Sequence, residues 1–134
     1  MPTAKVRWVE GMQFVGMDSG GHSVVLSGDD PQAGVRPSEM LLVALASCTA
    51  VDVVEIMAKK RKPLRALEIV ISGERDPEPP WPYRRIEIHY RLSGEGLTEK
   101  AVSQAIALSS EKYCSVAATV RGVAAIETTF AIQP

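Results

Sequence analysis

Cys48 and Cys114 are the whole cysteine content of this 134-residue chain, and they are its best candidates for covalent chemistry. A cysteine reacts as the thiolate, which attacks electrophiles and exchanges with disulfides. Each sits in a run that mixes small and polar residues: Ala46-Ser47-Cys48-Thr49-Ala50 and Glu111-Lys112-Tyr113-Cys114-Ser115. The plainer reading is that a free cysteine packs as a small hydrophobe, and it applies to Cys48 taken alone. Two cysteines cannot make a disulfide-dense secreted scaffold. No Cys-x-x-Cys is present for zinc or a thioredoxin-type site. His22 and His89 add little to any metal hypothesis.

The two cysteines can meet only through the fold, so the elements that carry them come next. Short strands are expected over residues 4–10, 12–17 and 22–27, separated by Glu10-Gly11 and by the turn-rich Asp18-Ser19-Gly20-Gly21. Residues 28–34 read as a loop. A long helix is expected over 37–60. Pro37 fits a first helical position, Glu39 its first turn, and Lys59, Lys60 and Arg61 its basic end before Pro63. From 40 to 46 it is apolar all round, as a helix buried on every side would be, which in so small a domain suggests wrapping by sheet with help from a second subunit. Period-two alternation marks two strands within 64–92, joined by the stiff Asp76-Pro77-Glu78-Pro79-Pro80-Trp81-Pro82. Thr98 is a plausible N-cap for a second helix over 98–113. A short helical turn after Cys114 and a last strand near 124–132 complete the chain. The order is α+β, in one domain spanning 1–134.

Composition narrows the function classes. Fifteen basic and sixteen acidic residues leave a net charge of −1, which argues against nucleic acid held by a broad basic field. Lys59-Lys60-Arg61-Lys62 reads as a helix-end charge cap. The N-terminal residues have no apolar core of a secretory signal, and the apolar stretch 40–46 is too short to span a bilayer. A cytoplasmic protein without a membrane partner is expected. In that compartment, disulfides tend to be transient and catalytic.

The run Arg36-Pro37-Ser38-Glu39-Met40-Leu41-Leu42-Val43-Ala44-Leu45-Ala46-Ser47-Cys48-Thr49-Ala50-Val51-Asp52-Val53-Val54 resembles the first-cysteine helix of the OsmC/Ohr family. Glu111-Lys112-Tyr113-Cys114-Ser115-Val116 resembles its second-cysteine segment. The element order and the spacing of the cysteines agree over nearly the whole chain. The resemblance implies an OsmC-like fold: antiparallel sheets wrapped around a long buried central helix, in an intertwined homodimer. It implies a thiol-dependent peroxidase acting on organic hydroperoxides and hydrogen peroxide. Cys48 would be the peroxidatic thiolate, passing through a sulfenic acid. Cys114 would resolve it as a disulfide, and a cellular dithiol would reduce the pair. No metal, haem or flavin is implied.

In the family a glutamate ten residues before the first cysteine orients an arginine that supports the thiolate. Here that position is Ser38, and Glu39 follows it, nine residues from Cys48 and about 180° around a regular helix. Arg36 is the best substitute cation, and Arg36 with Glu39 as a plain pair at a helix start is the alternative. Asp52, four residues after Cys48, shares its face and would raise a thiol pKa or anchor a neighbouring loop. His89 reads as an exposed or hydrogen-bonded strand residue, and Trp81 as a contact residue or a cap on a core edge. The competing function is a non-catalytic or redox-sensing dimer that binds a small apolar ligand in its interfacial pocket.

Overall fold

A computed structural model describes residues 1–28 and 33–134. The expected loop over 28–34 therefore falls partly outside the described residues. The chain divides into two compact units, Met1–Leu41 and Leu42–Pro134.

The first unit is an antiparallel meander of β1 (Lys5–Glu10), β2 (Gln13–Met17) and β3 (Ser23–Ser27). Its turns are where glycine and aspartate put them. Gly11 takes a positive φ of 52° between β1 and β2, and the Asp18 side chain accepts from the backbone N–H groups of Gly20 and His22. The fully buried Ser27 side chain bonds both the N–H and the C=O of Gly34.

The second unit holds both cysteines. Its elements are most of α1 (Pro37–Lys59), then β4 (Ala66–Arg75), β5 (Tyr83–Ser93), α2 (Glu99–Leu108), a π-helical turn (Ser109–Tyr113), α3 (Ser115–Val120) and β6 (Ala125–Ile132). Ile86, Ile88, Tyr90 and Leu92 alternate along β5 as buried residues. They share one core with Leu45, Val53 and Met57 of α1 and with Ala101, Val102, Ala105 and Ile106 of α2. Thr98 caps α2 as expected, its Oγ1 accepting from the Ala101 N–H at 3.1 Å.

Two expectations need correction. The second sheet is not purely antiparallel: β4 and β5 pair antiparallel, but β6 joins β5 in parallel, with Ile86 opposite Ile126. The reason is the connection. Two strands joined through α2, the π-turn and α3 have the long crossover that parallel pairing requires. One chain covers only part of the central helix, as expected of a helix that needs a second subunit for the rest. Within this chain it buries the four-residue stripe Leu45, Thr49, Val53 and Met57, and it leaves Val43, Val51 and Val54 about half exposed. The apolar stretch of this helix is also longer than 40–46: an 18-residue window of α1 has a mean hydropathy of 2.0, enough to cross a membrane by length and composition alone. Its buried stripe nonetheless belongs to the core of the second unit.

α1 ends before Pro63 by a specific device. The Lys62 N–H bonds the Met57 carbonyl at 2.9 Å and the Arg61 N–H bonds the Ala58 carbonyl at 3.0 Å, while Arg61 takes a φ of 61°. This is a Schellman ending, in which glycine normally holds the left-handed position. Replacing Arg61→Gly removes the steric cost of a Cβ there. The variant should be more stable by about 0.5–1 kcal/mol, read as a raised midpoint in thermal or urea unfolding. An unchanged or lowered midpoint would contradict this account of the helix end.

Candidate functional site

The site is built from one turn of α1 and the π-turn. On α1, Cys48, Thr49 and Asp52 fall within four residues, so that Cys48 and Asp52 share a face. Facing them, α2 does not continue as an α-helix beyond Leu108. Its last turn widens over Ser109–Tyr113, and the Cys114 N–H bonds the Ser109 carbonyl at 2.8 Å, five residues back. Single π-turns of this kind are frequent at functional sites. Cys114 then leaves helical geometry and caps α3, its Sγ accepting from the Ala117 N–H at 3.4 Å.

The two thiols meet. Both cysteines are free, Cys48 half-buried and Cys114 buried, and their side chains are within hydrogen-bonding reach. Burial is the main influence on the Cys114 thiol, because a thiolate there would lack solvent. The hydrogen bond to Cys48 favours the protonated form as well, and the Asp52 charge adds to it. The Ala117 N–H opposes them. Together they push Cys114 up to about 11.

A buried hydroxyl chain lies beside the sulfurs. Ser109, fully buried, places its Oγ 2.8 Å from Asp52 Oδ2 and 2.9 Å from Thr49 Oγ1. Thr49 Oγ1 is in turn 2.8 Å from the Tyr90 hydroxyl on β5. Ser109 has one hydrogen for two acceptors, and a carboxylate is the stronger of them. Burial pushes the Tyr90 phenol above its ordinary range, with the Thr49 hydrogen bond working against it. Among the described residues, no buried side-chain oxygen or nitrogen lacks a partner. Asp52 thus does what the helical count allowed: it anchors a neighbouring segment. Thr49, Ser109 and Tyr90 were missed in the sequence. Thr49 and Asp52 flank Cys48 and could have drawn attention, whereas nothing local marks Ser109 or Tyr90.

The other candidates have partners of their own. Arg36 and Glu39 pair with each other at the start of α1, 4.0 Å apart and substantially exposed. His89 Nδ1 is 2.6 Å from Thr129 Oγ1 of β6, a cross-strand hydrogen bond. Trp81 is exposed in the β4–β5 loop. Lys60 Nζ donates to Gln104 Oε1 at 2.8 Å, tying the basic end of α1 to α2. Two hollows border α1. One, of about 340 Å³, is apolar and runs along Val43, Ala46, Ser47 and Ala50 against Leu67, Ile69 and Ile71 of β4. The other, of about 490 Å³, has Asp52, Lys59, Leu108 and Tyr113 in its wall.

Comparison with known proteins points the same way. The family described as OsmC-like protein matches residues 28–129. The chain is 40% identical over 114 residues to protein YhfA of Escherichia coli K12, covering 85% of each. A hypothetical protein from Aquifex aeolicus VF5 superposes with a TM-score of 0.90 at 32% identity, over 99% of this chain and 96% of that one. The organic hydroperoxide resistance protein OsmC of Legionella pneumophila shares the fold, with a TM-score of 0.70 at 12% identity, covering 98% of this chain and 96% of that one.

The geometry makes Cys114 a thiol that keeps its proton far into alkaline pH. In the reduced protein, alkylation of Cys114 followed at the peptide level should rise with pH toward a midpoint near 11. A free thiol titrates near about 8.5. A midpoint at or below that ordinary value would mean that Cys114 is not held protonated by its surroundings.

Proposed function

The chain belongs to the OsmC-like family, and on that premise we propose that it is a cysteine-based peroxidase that reduces organic hydroperoxides, and hydrogen peroxide, in the cytoplasm. The observation that carries the reading is the meeting of Cys48 and Cys114, the chain's whole cysteine content, across α1 and the π-turn. The fold and the paired thiols are consistent with thiol-based peroxide chemistry in general, and the surroundings of the two cysteines support the roles proposed for them.

Cys114 is buried and held as a thiol, which makes it a poor first nucleophile. Cys48 is half-buried and better placed to receive a peroxide. Its thiolate attacks one peroxide oxygen, the O–O bond breaks, and the leaving alkoxide takes a proton to become an alcohol. Cys48 becomes a sulfenic acid. Cys114 then attacks that sulfur, gives up its proton, and the hydroxyl leaves as water with formation of the disulfide. A cellular dithiol restores both thiols by exchange and is itself oxidised to a disulfide. Burial that disfavours the Cys114 thiolate beforehand does not block this step, because the proton leaves with the departing hydroxyl. The apolar hollow beside Ser47 and Ala50 suits an organic peroxide.

The surface of α1 also supports a homodimer. Val43, Val51 and Val54 are about half exposed along it, and such a patch ordinarily marks an interaction surface. A second copy of the chain is the occupant proposed here.

One equivalent of cumene hydroperoxide, without reductant, should lower the intact mass by two hydrogens per chain. Cys48→Ser and Cys114→Ser should each abolish that loss, and wild type should turn over in steady state with dihydrolipoamide. An unchanged mass with both thiols free would sink the peroxidase, and disulfide formation without turnover would leave a redox sensor instead. In sedimentation velocity the wild type should run at twice the chain mass. Val51→Glu should shift it toward the monomer, since a buried charge without a partner costs several kcal/mol. A wild-type monomer at high micromolar concentration would refute the dimer.

A further inference from the structure

We propose that Asp52 and Ser109 are positioning residues for closure of the Cys48–Cys114 disulfide, fixing the segment that carries Cys114 against the turn of α1 that carries Cys48. The role of that disulfide as the resolved state rests on the peroxidase reading above, while the positioning itself does not.

Ser109 makes bonds of two kinds in opposite directions. Its hydroxyl reaches α1 at Asp52 and Thr49, at 2.8 and 2.9 Å. Its carbonyl receives the Cys114 N–H at 2.8 Å. The backbone of Cys114 is therefore one residue removed from the helix turn that bears Cys48. Thr49, next to Cys48 in sequence, is braced from the sheet by Tyr90 at 2.8 Å. The Ala117 N–H on Cys114 Sγ sets the direction of the thiol from the other side. The residue beside Cys48 is thus fixed by the hydroxyl chain, and the Cys114 sulfur by the Ala117 N–H.

Packing alone does not ask for this arrangement. Ser109 is fully buried at the end of a helix, where alanine would fill nearly the same space and favour the helix more. A hydroxyl in that position is justified by its bonds, and a buried one bonded to a carboxylate is held strongly. The widening of α2 into the π-turn brings the Ser109 carbonyl to Cys114. A disulfide needs Cα atoms within roughly 6 Å and a narrow range of side-chain directions. Small losses of position in a reacting pair lower its effective concentration steeply.

The test is the equilibrium of the full chain with reduced and oxidised dithiothreitol, read as the disulfide fraction by intact mass. In it the two protein thiols lose two electrons and two protons, and the oxidised reagent gains them. Relative to wild type, Ser109→Ala should lower the effective concentration of the cysteine pair about tenfold or more, the scale that misplacement of a reacting group produces. Asp52→Asn, which keeps the shape but removes the charge, should lower it less. Ser109→Thr, which restores a hydroxyl, should recover most of the loss.

Val102→Ala, a core truncation in α2 away from the chain of hydroxyls, should cost stability without moving this equilibrium. A wild-type equilibrium in Ser109→Ala, an equal fall in Val102→Ala, or a wild type that forms no disulfide under oxidising conditions would each overturn the proposal. If Ser109→Ala does not fold, the Asp52→Asn comparison decides it. No peroxide enters the measurement. A protein that closes its disulfide through Ser109 yet leaves peroxides untouched would defeat the peroxidase reading alone. Peroxide turnover with an unshifted Ser109→Ala equilibrium would defeat this proposal alone.

Discussion

The bond between the Ser109 hydroxyl and the Asp52 carboxylate, 2.8 Å long, is the constraint on which the thiol geometry depends. A hydrogen bond to a charged group contributes about 1.5–3 kcal/mol, and its loss inside a protein leaves the carboxylate short of a donor as well. Set against a typical total stability of about 5–15 kcal/mol, that is a sizeable share for one hydroxyl. The bond has an electrostatic side too. A carboxylate close to a thiol opposes its ionisation, and the Asp52 charge acts on Cys114 in that sense, behind burial and the Cys48 hydrogen bond. One side chain therefore both ties down the Cys114 segment and helps to keep its sulfur protonated.

Much of this fold was legible because alternation and capping are local. Strands read at 4–10, 12–17 and 22–27 appear within one residue of those limits, and Thr98 caps its helix. Partnership was not local, and there the reading fell short. Alternation in the last strand says that it is a strand, but its parallel pairing with β5 follows from the crossover before it. The second helix was read through Tyr113, because apolar spacing does not distinguish α from π geometry over a single turn. Asp52 was placed on the Cys48 face by counting four residues. Its partner lies 57 positions away, and no count along the chain reaches it. Arg36 and Glu39 were legible as neighbours in sequence and remain an i,i+3 pair.

The departure of α1 from full burial has a physical meaning. One chain covers the stripe Leu45, Thr49, Val53 and Met57. Val43, Val51 and Val54 remain about half exposed on the same helix. Burying a valine side chain is worth roughly 1.5 kcal/mol or more, so a surface that covers several of them gains substantially by doing so. An all-round apolar helix in a short chain is therefore better read as two faces with different partners. One is the chain's own core, and the other, on the reading offered here, is a second copy.

Cys48 stands where those two faces adjoin. Thr49, beside it, turns into the core and bonds Ser109, while Val51, three residues on, is 57% exposed. A thiol as buried as Cys114 would be screened from any peroxide. A fully exposed one would have no neighbour to close a disulfide with. The boundary position satisfies both requirements, with access from the uncovered side and a resolving thiol on the covered side. The same position makes the surroundings of Cys48 sensitive to whatever covers α1. A second copy seated there would exclude water from the flank of the helix and strengthen every charge interaction that reaches the sulfur. In a peroxidase of this design, assembly and thiol activation would then be coupled through a single turn of helix.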